Sequence, residues 1–183
     1  MVRPLVTREK LEIFLRRLGA EATSPGTLYL TGGATALLLG IREQTIDIDI
    51  KLEPEPAGVF DAIARLKDEL GVNVELAAPD HFIPALPGWQ ERSKLVSKEG
   101  KIEIRNYDLY SQALSKIERG HDQDLRDVRA LVERKLIDTE RFLPFFDKIS
   151  PQIIRYPAIN AKHFKQKIEE FVKSLEFSDD DED

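Results

Sequence analysis

Two aspartates separated by one residue are the strongest candidates for chemistry in this chain. Asp47 and Asp49 alternate with isoleucines in the segment TIDIDIKL. Such alternation predicts a β-strand with apolar side chains on one face and both carboxylates on the other. Two neighbouring carboxylates repel each other unless a cation lies between them, and oxygen ligands of this kind suit Mg²⁺ or Mn²⁺. The alternative interpretation is an acidic strand face that contacts only solvent.

A pair of glycines precedes the aspartates and favours a joint role for the two segments. The segment LYLTGGATALLLG predicts a buried strand, a tight turn formed by Thr31, Gly32 and Gly33, and a short apolar helix over 34–40. Free backbone N–H groups at the start of a helix form a natural anion site. With 13 residues between Gly33 and Asp47, the turn and the acidic strand can converge on a bound triphosphate. The combination favours metal-assisted phosphoryl chemistry.

The elements that would position these residues follow from periodicity and from capping signals. Helices are predicted over 7–18, 34–40, 59–70, 139–149 and 160–175. From 108 onward, two stripes of apolar residues at helical spacing, separated at 120, predict further helical structure. Strands are predicted over 28–30, at the two aspartates, over 73–77, and as a hairpin of 92–98 and 101–105. This order predicts an α+β fold, with a mixed sheet core followed by a helical C-terminal part. We therefore divide the chain into an α/β core (1–107), a helical part (108–175) and an acidic, disordered tail (176–183).

Composition narrows the class of protein. The chain has 183 residues and 42% hydrophobic content, which is ordinary for a soluble globular protein. It has no cysteine, which excludes disulfides and thiolate metal sites, and no apolar run approaches the roughly 18 residues of a membrane span. We therefore expect a cytoplasmic protein with no membrane partner. The net charge of −6 gives no overall attraction to nucleic acid.

The glycine pair and the aspartate pair together resemble the signature of a known superfamily. Gly32-Gly33 followed by Asp47-Ile48-Asp49 is similar to the motif of the nucleotidyltransferase superfamily (polymerase β-like). That resemblance implies a mixed sheet with the active site on its open face, followed by helices. It also implies a nucleoside triphosphate (NTP) as substrate, and Mg²⁺ or Mn²⁺ held by three carboxylates.

A narrower resemblance covers about residues 5–135. The segment TGGATALLLGIREQTIDIDI is similar to nucleotidyltransferase-like proteins related to AbiEii-type toxins and to small uncharacterised members of the superfamily. In those proteins an Arg-x-x-Thr stretch precedes the acid pair, as Arg42 and Thr45 do here. A downstream block, DLYSQALSKIERGHDQDLRDV, extends the resemblance with Asp108, Lys116, Arg119, Asp124 and Asp127.

The resemblance implies roles for individual residues. Asp47 and Asp49 are the expected metal ligands and, with Lys116, the expected catalytic residues; the expected NTP-binding residues are Thr31, Gly32, Gly33 and Arg42. The third carboxylate is open between Glu75 in NVELA and Glu103 in KIEIR, and chain order favours Glu75. The superfamily often has Ser at the second small position, where this chain has Gly33, so Thr31 or Thr35 would have to supply a hydroxyl.

Two functions from different classes follow from these expectations. The first is a Mg²⁺-dependent transfer of a nucleoside monophosphate from an NTP to a hydroxyl of protein, RNA or a small molecule, as part of a toxin–antitoxin system. The second is a catalytically inactive binding partner with the same fold, antitoxin-like or regulatory. The acidic tail and the ambiguous third acid favour the second, whereas the glycine and aspartate pairs favour the first.

Overall fold

The computed structural model describes residues 4–176, which form two compact units. Residues 4–78 and 90–107 form the first unit, and residues 79–89 and 108–176 form the second. Residues 177–183 of the predicted acidic tail lie outside the described residues. Among residues 4–176, no helix is long and apolar enough to cross a membrane.

The first unit contains the strands and the N-terminal helices. Its strands are β1 (Val6–Thr7), β2 (Gly26–Thr31), β3 (Gln44–Thr45), β4 (Asp47–Leu52), β5 (Asn73–Leu76), β6 (Leu95–Glu99) and β7 (Ile102–Asn106). Its helices are α1 (Arg8–Glu21), α2 (Gly32–Leu38) and α3 (Val59–Leu70). The short helix α4 (Trp89–Arg92), whose first residue belongs to the second unit, leads into β6. The helix boundaries follow local signals: Thr7 caps α1 by accepting from the Lys10 N–H at 3.4 Å, and Gly71 ends α3 in the left-handed conformation, with φ of 60°.

Five strands form a mixed sheet in the order β5-β4-β2-β7-β6. The central strand β2 runs antiparallel to β4 and parallel to β7, and β5 runs parallel to β4. One face of the sheet is apolar and packs against α1 and α3; its buried residues are Leu28, Leu30, Ile48, Ile50, Val74, Ile102 and Ile104. Burial contributes roughly 1.5–3 kcal/mol for each such side chain, so a one-residue slip of β4 is strongly disfavoured. The register that buries Ile48 and Ile50 therefore turns Asp47 and Asp49 to the opposite face.

The second unit is helical. It contains α5 (Leu109–Arg119), α6 (Asp122–Glu133), α7 (Phe142–Ile149) and α8 (Ala161–Glu176), with 3₁₀ turns at Pro79–His81, Thr139–Arg141 and Ser150–Arg155. Aromatic side chains fill the space between α7 and α8: the rings of Phe146 and Phe164 lie 5.2 Å apart, and those of Phe142 and Phe171 lie 6.4 Å apart. These aromatic pairs hold the helices together through apolar burial.

The predicted α+β class, with a mixed sheet followed by helices, is confirmed. Two local predictions were wrong. Gln44–Thr45 lies in a two-residue ladder with Val6–Thr7, where the sequence predicts no strand. The predicted strand over 92–98 begins only at Leu95, because Trp89–Arg92 is helical, and the turn that follows it is formed by Gly100 and Lys101.

Candidate active site

Three carboxylates share one corner of the polar sheet face. In the parallel register of β4 and β5, Asp47 lies beside Asn73 and Asp49 lies beside Glu75. Because side chains alternate between the faces of a strand, all four point to the face opposite the apolar core. They form a two-by-two block of three carboxylates and one amide, which we call the carboxylate block. Asp47, Asp49 and Asn73 are half-buried, and Glu75 is exposed.

The amide of Asn73 connects two of these carboxylates. Its nitrogen Nδ2 donates to Oδ1 of Asp47 at 2.7 Å and to Oε1 of Glu75 at 2.9 Å. Carboxylate oxygens accept hydrogen bonds and do not donate them when ionised, so the network itself requires the nitrogen of the amide to face both acids. The Asn73 side chain thus bridges Asp47 and Glu75.

The glycine turn packs directly against the acidic strand. Gly32 has φ of +57°, a backbone conformation that glycine adopts without strain, and a Cβ at this position would lie 2.7 Å from Oδ2 of Asp49. Thr31 lies opposite Asp49 in the antiparallel pairing of β2 and β4, so the turn begins beside that carboxylate. The structure therefore brings the predicted phosphate-binding turn and the predicted metal-binding strand to one point.

The second glycine faces Thr45. A Cβ at Gly33 would lie 2.0 Å from Oγ1 and 2.7 Å from Cβ of Thr45, which is buried. Thr45, Asp47 and Asp49 follow one another at every second residue, and the first and last of them fill the space that side chains at Gly33 and Gly32 would need. The Thr of the Arg-x-x-Thr stretch is thus a packing partner of the turn.

Both threonines that were expected to supply a hydroxyl already donate to backbone carbonyls. Thr31 donates to the Ala77 carbonyl at 2.9 Å, and Thr35 donates to the Leu30 carbonyl at 3.0 Å. The Thr31 bond joins the end of β2 to the residue that follows β5, so it helps to hold the Glu75 strand beside the turn. A hydroxyl has a single proton, so in this arrangement neither threonine has a proton left for a phosphate.

Arg42 and Tyr29 also belong to the first unit. Arg42 is half-buried in the connector after α2, where its backbone N–H donates to the Ala36 carbonyl at 3.2 Å. Tyr29 lies on the polar face, two residues before Thr31, and its ring packs edge-on against Tyr107 at 6.0 Å. Burial raises the pKa of the Tyr29 phenol above its ordinary value of 10.0, and the nearby Arg105 guanidinium opposes that shift.

Glu103 lies on the same sheet face but away from the carboxylate block. It pairs with Thr27 in the β2–β7 register, whereas Asp49 pairs with Thr31, and β2 separates their two strands. Four residues along a strand span roughly 13 Å and two strand spacings add roughly 10 Å sideways. Glu103 instead forms a 2.9 Å ion pair with Arg105. Of the two candidates for a third acid, the geometry brings Glu75 to the aspartates.

Lys116 belongs to the second unit, where it is buried on α5. Its ammonium lies 2.5 Å from Oδ2 of Asp127 and 3.6 Å from Oδ1 of Asp124, and Arg119 also bonds Asp124, at 2.7 Å. Lys116 is only 6% exposed, so its ammonium is buried beside these two carboxylates. Its proposed catalytic role stays a prediction.

The carboxylate block offers the oxygen donors that a divalent cation requires. Among residues 4–176, no group of three or more His, Asp or Glu side chains is arranged to hold a metal ion. Mg²⁺ is usually bound by one or two carboxylates, with phosphate oxygens and water completing its shell. Asp47 and Asp49 on one face, beside the glycine turn, fit that mode of binding.

Sequence reasoning missed Asn73 and the role of Thr45. Asn73 had no motif to mark it, because its importance depends on the β4–β5 register. Thr45 was noticed only through a resemblance, because its contact with Gly33 depends on the fold: Ile46 is 47% exposed and separates β3 from β4.

A family comparison covers the whole of this site. No curated protein and no solved structure is found to match the chain. The sequence model of the family described as nucleotidyltransferase of unknown function (DUF6036) matches residues 13–176. That span includes the glycine turn and the carboxylate block. The chain therefore belongs to this family of nucleotidyltransferases of unknown function.

Proposed function

We propose that this protein is a Mg²⁺-dependent enzyme that moves a nucleoside monophosphate from an NTP to a hydroxyl of a protein, an RNA or a small molecule. The observation that carries the proposal is the packing of the Asp49 carboxylate against Gly32, at 2.7 Å from the position of a Cβ. In such a reaction the divalent cation binds phosphate oxygens. Here the turn proposed to bind phosphate lies directly against a carboxylate proposed to bind the cation. Family membership supports a nucleotide as the substrate.

In the proposed reaction the acceptor hydroxyl attacks the α-phosphorus of the NTP. A bond forms between that phosphorus and the acceptor oxygen, and the bond to the oxygen that bridges to the β-phosphate breaks. The hydroxyl proton passes to solvent and pyrophosphate leaves. Backbone N–H groups of Gly32 and Gly33 would bind the phosphates, and the Arg42 guanidinium would neutralise part of their charge. The chain thus contributes mainly positioning and electrostatics.

Asp47 and Asp49 would hold the cation, and Glu75 is proposed to join them as a third carboxylate when the cation is bound. When bound, Mg²⁺ or Mn²⁺ lowers the pKa of an attacking hydroxyl and stabilises the entering and leaving oxygens. Thr31 is assigned to shaping the turn, because its hydroxyl donates to Ala77. Lys116 is left out of the proposed mechanism, since two buried carboxylates already surround its ammonium.

The test separates nucleotidyl transfer from phosphoryl transfer. The full chain is incubated with a cell extract and with each NTP labelled on either the α- or the γ-phosphate, in Mg²⁺, Mn²⁺ or EDTA. We expect the α-label to become attached to an acceptor, the γ-label to appear in pyrophosphate, and EDTA to stop both. Asp47→Ala should reduce transfer by about 100-fold or more, because changes even in the outer shell of a metal site reduce affinity or activity 10–100-fold.

Glu103→Ala is the matched control, since it removes an acid from the same sheet face outside the carboxylate block. It should transfer as the wild type does. Attachment of the γ-label above the level found in extract without the protein would refute nucleotidyl transfer. Wild-type protein that neither binds any NTP in a metal-dependent way nor transfers label would refute the proposal altogether, as would an Asp47→Ala variant as active as the wild type.

An inactive binding partner is the second candidate, favoured by the engaged hydroxyls of Thr31 and Thr35. The proposed place in a toxin–antitoxin system and the relation to AbiEii-type toxins can be tested with the same variant. Cells expressing the wild type should stop growing and cells expressing Asp47→Ala should not, if the protein is a catalytic toxin. Equal growth arrest by both would favour action through binding, and no arrest in either would count against a toxin.

A further inference from the structure

The amide of Asn73 occupies the one corner of the carboxylate block that carries no charge. Asp47, Asp49 and Glu75 take the other three corners, so three negative charges would face one another across two adjacent strands. Like charges on neighbouring strands repel and would swing their side chains apart. A neutral donor between two of them opposes that separation.

Both hydrogens of the Asn73 amide nitrogen are used within the block. One N–H points to Asp47 and the other to Glu75, at nitrogen–oxygen distances of 2.7 and 2.9 Å. Hydrogen bonds to an ionised acceptor are stronger than neutral ones and fix the direction of the carboxylate. Asn73 thereby limits the rotation of an aspartate on β4 and a glutamate on β5 at once.

The residue type is also unfavourable for the strand itself. Asn is depleted in β-strands, and a β-branched residue at the start of an edge strand would fit the sheet better. A residue that contradicts its local secondary structure beside a candidate site is most simply explained by the site.

We propose that Asn73 is a positioning residue that orients Asp47 and Glu75 for the divalent cation; this inference rests on the proposed function. Asn73 touches neither NTP nor acceptor in this proposal, and it acts only through the two carboxylates. Removal of its amide should therefore weaken cation binding while the protein stays folded.

The test measures Mn²⁺ binding to the full chain by electron paramagnetic resonance, with a non-hydrolysable NTP present, and thermal unfolding of the same samples. Asn73→Ala and Asn73→Leu both remove the two donors, and leucine keeps the approximate size of the side chain without adding a charge. Both should weaken Mn²⁺ binding about 10–100-fold, the usual effect of losing an outer-shell partner. Ser97→Ala on the other edge strand is the matched control: Ser97 also donates to a carboxylate, that of Glu99, at 3.3 Å. It should leave Mn²⁺ binding unchanged.

A second measurement needs no metal. In ¹⁵N-correlated NMR spectra of the metal-free protein, Asp47→Asn should shift the side-chain amide resonances of Asn73, because a neutral amide replaces the charged acceptor. Unshifted resonances would overturn the proposal, and so would Mn²⁺ binding by Asn73→Ala within twofold of the wild type. If Asn73→Ala binds Mn²⁺ like the wild type but Asp49→Ala does not bind it, the role of Asn73 is refuted and the proposed function is not. Absence of Mn²⁺ binding in the wild type would defeat both.

Discussion

Replacing Gly33 with alanine tests whether the glycine turn is shaped by Thr45. The new Cβ would lie 2.0 Å from Oγ1 and 2.7 Å from Cβ of Thr45, whereas ordinary contacts begin near 3.4 Å. Oγ1 would have to retreat by about 1.4 Å and Cβ by about 0.7 Å. Rotation about χ1 of Thr45 can move the hydroxyl but leaves Cβ in place, because Cβ moves only with the backbone of β3. That backbone is paired with β1, so the clash cannot be relieved by the side chain alone.

Overpacking of this kind destabilises a protein by about 1–3 kcal/mol, and we expect Gly33→Ala to fall in that range. The measurement is urea unfolding monitored by circular dichroism. The slope of the unfolding free energy against urea concentration should be the same in the variant and in the wild type. In a Thr45→Ala background the loss should shrink, because only the 2.7 Å contact remains. In a Thr45→Gly background it should vanish or reverse, because alanine is favoured over glycine within a helix by roughly 1 kcal/mol.

Gly71→Ala is the control for the same cycle. No atom lies within 4 Å of a Cβ at that position, so its effect comes only from its φ of +60°. It should add to the effect of Thr45→Gly within about 0.5 kcal/mol, as independent sites do. If Gly33→Ala and Thr45→Gly also add within that margin, Thr45 is not what excludes a side chain at Gly33, and the explanation given for the turn is wrong.

Two further predictions concern buried polar groups. Lys116→Met leaves Asp124 and Asp127 buried without their shared cation and should lower the free energy of unfolding by about 3–5 kcal/mol; Lys116→Met/Asp127→Leu should recover most of it, because an apolar pair can replace a buried ion pair. If that double variant is stable and still transfers nucleotide, Lys116 is not catalytic, whereas a stable but inactive double variant supports the catalytic prediction. Because burial raises the pKa of Tyr29, the folded state binds the phenolic proton more tightly than the unfolded state, so stability should fall as the pH rises above 10.0. Tyr29→Phe should reduce that fall in urea unfolding between about pH 9 and 11, and an identical pH dependence in both proteins would contradict the assignment.

The sequence predicted those elements whose signals are local. The alternation around Asp47 and Asp49 predicted a strand with its acids on one face, and the apolar spacing over 59–70 predicted α3. The two-residue ladder of Val6–Thr7 with Gln44–Thr45 was not predicted, because its pairing joins segments almost forty residues apart. Two-residue strands are too short to show a period of their own.

The third acid could not be decided from sequence because strand order is not a local property. Glu75 and Glu103 both lie between aliphatic residues on predicted strands, and only the order β5-β4-β2-β7-β6 puts one of them beside Asp49. The burial of Lys116 could not be predicted from sequence for a related reason. Helical periodicity locates a residue on its own helix, whereas the burial of Lys116 depends on Asp124 and Asp127 of the next helix.

The motif that marks this chain as a nucleotidyltransferase is better as an indicator of fold than of activity. Gly32 lacks a side chain where Asp49 packs, and Gly33 lacks one where Thr45 packs. Close packing alone therefore explains both glycines, whether or not the protein is an enzyme. A catalytically inactive protein with the same packing would also need both glycines. Asp47 is different, because its carboxylate bonds Asn73 and fills no space left by a glycine. Substitution of Asp49 would therefore disturb both the turn and the chemistry, whereas Asp47→Ala removes a carboxylate and leaves the packing of the glycine turn intact. A loss of transfer in that variant, with unchanged stability, is the result that distinguishes an enzyme from an inactive relative.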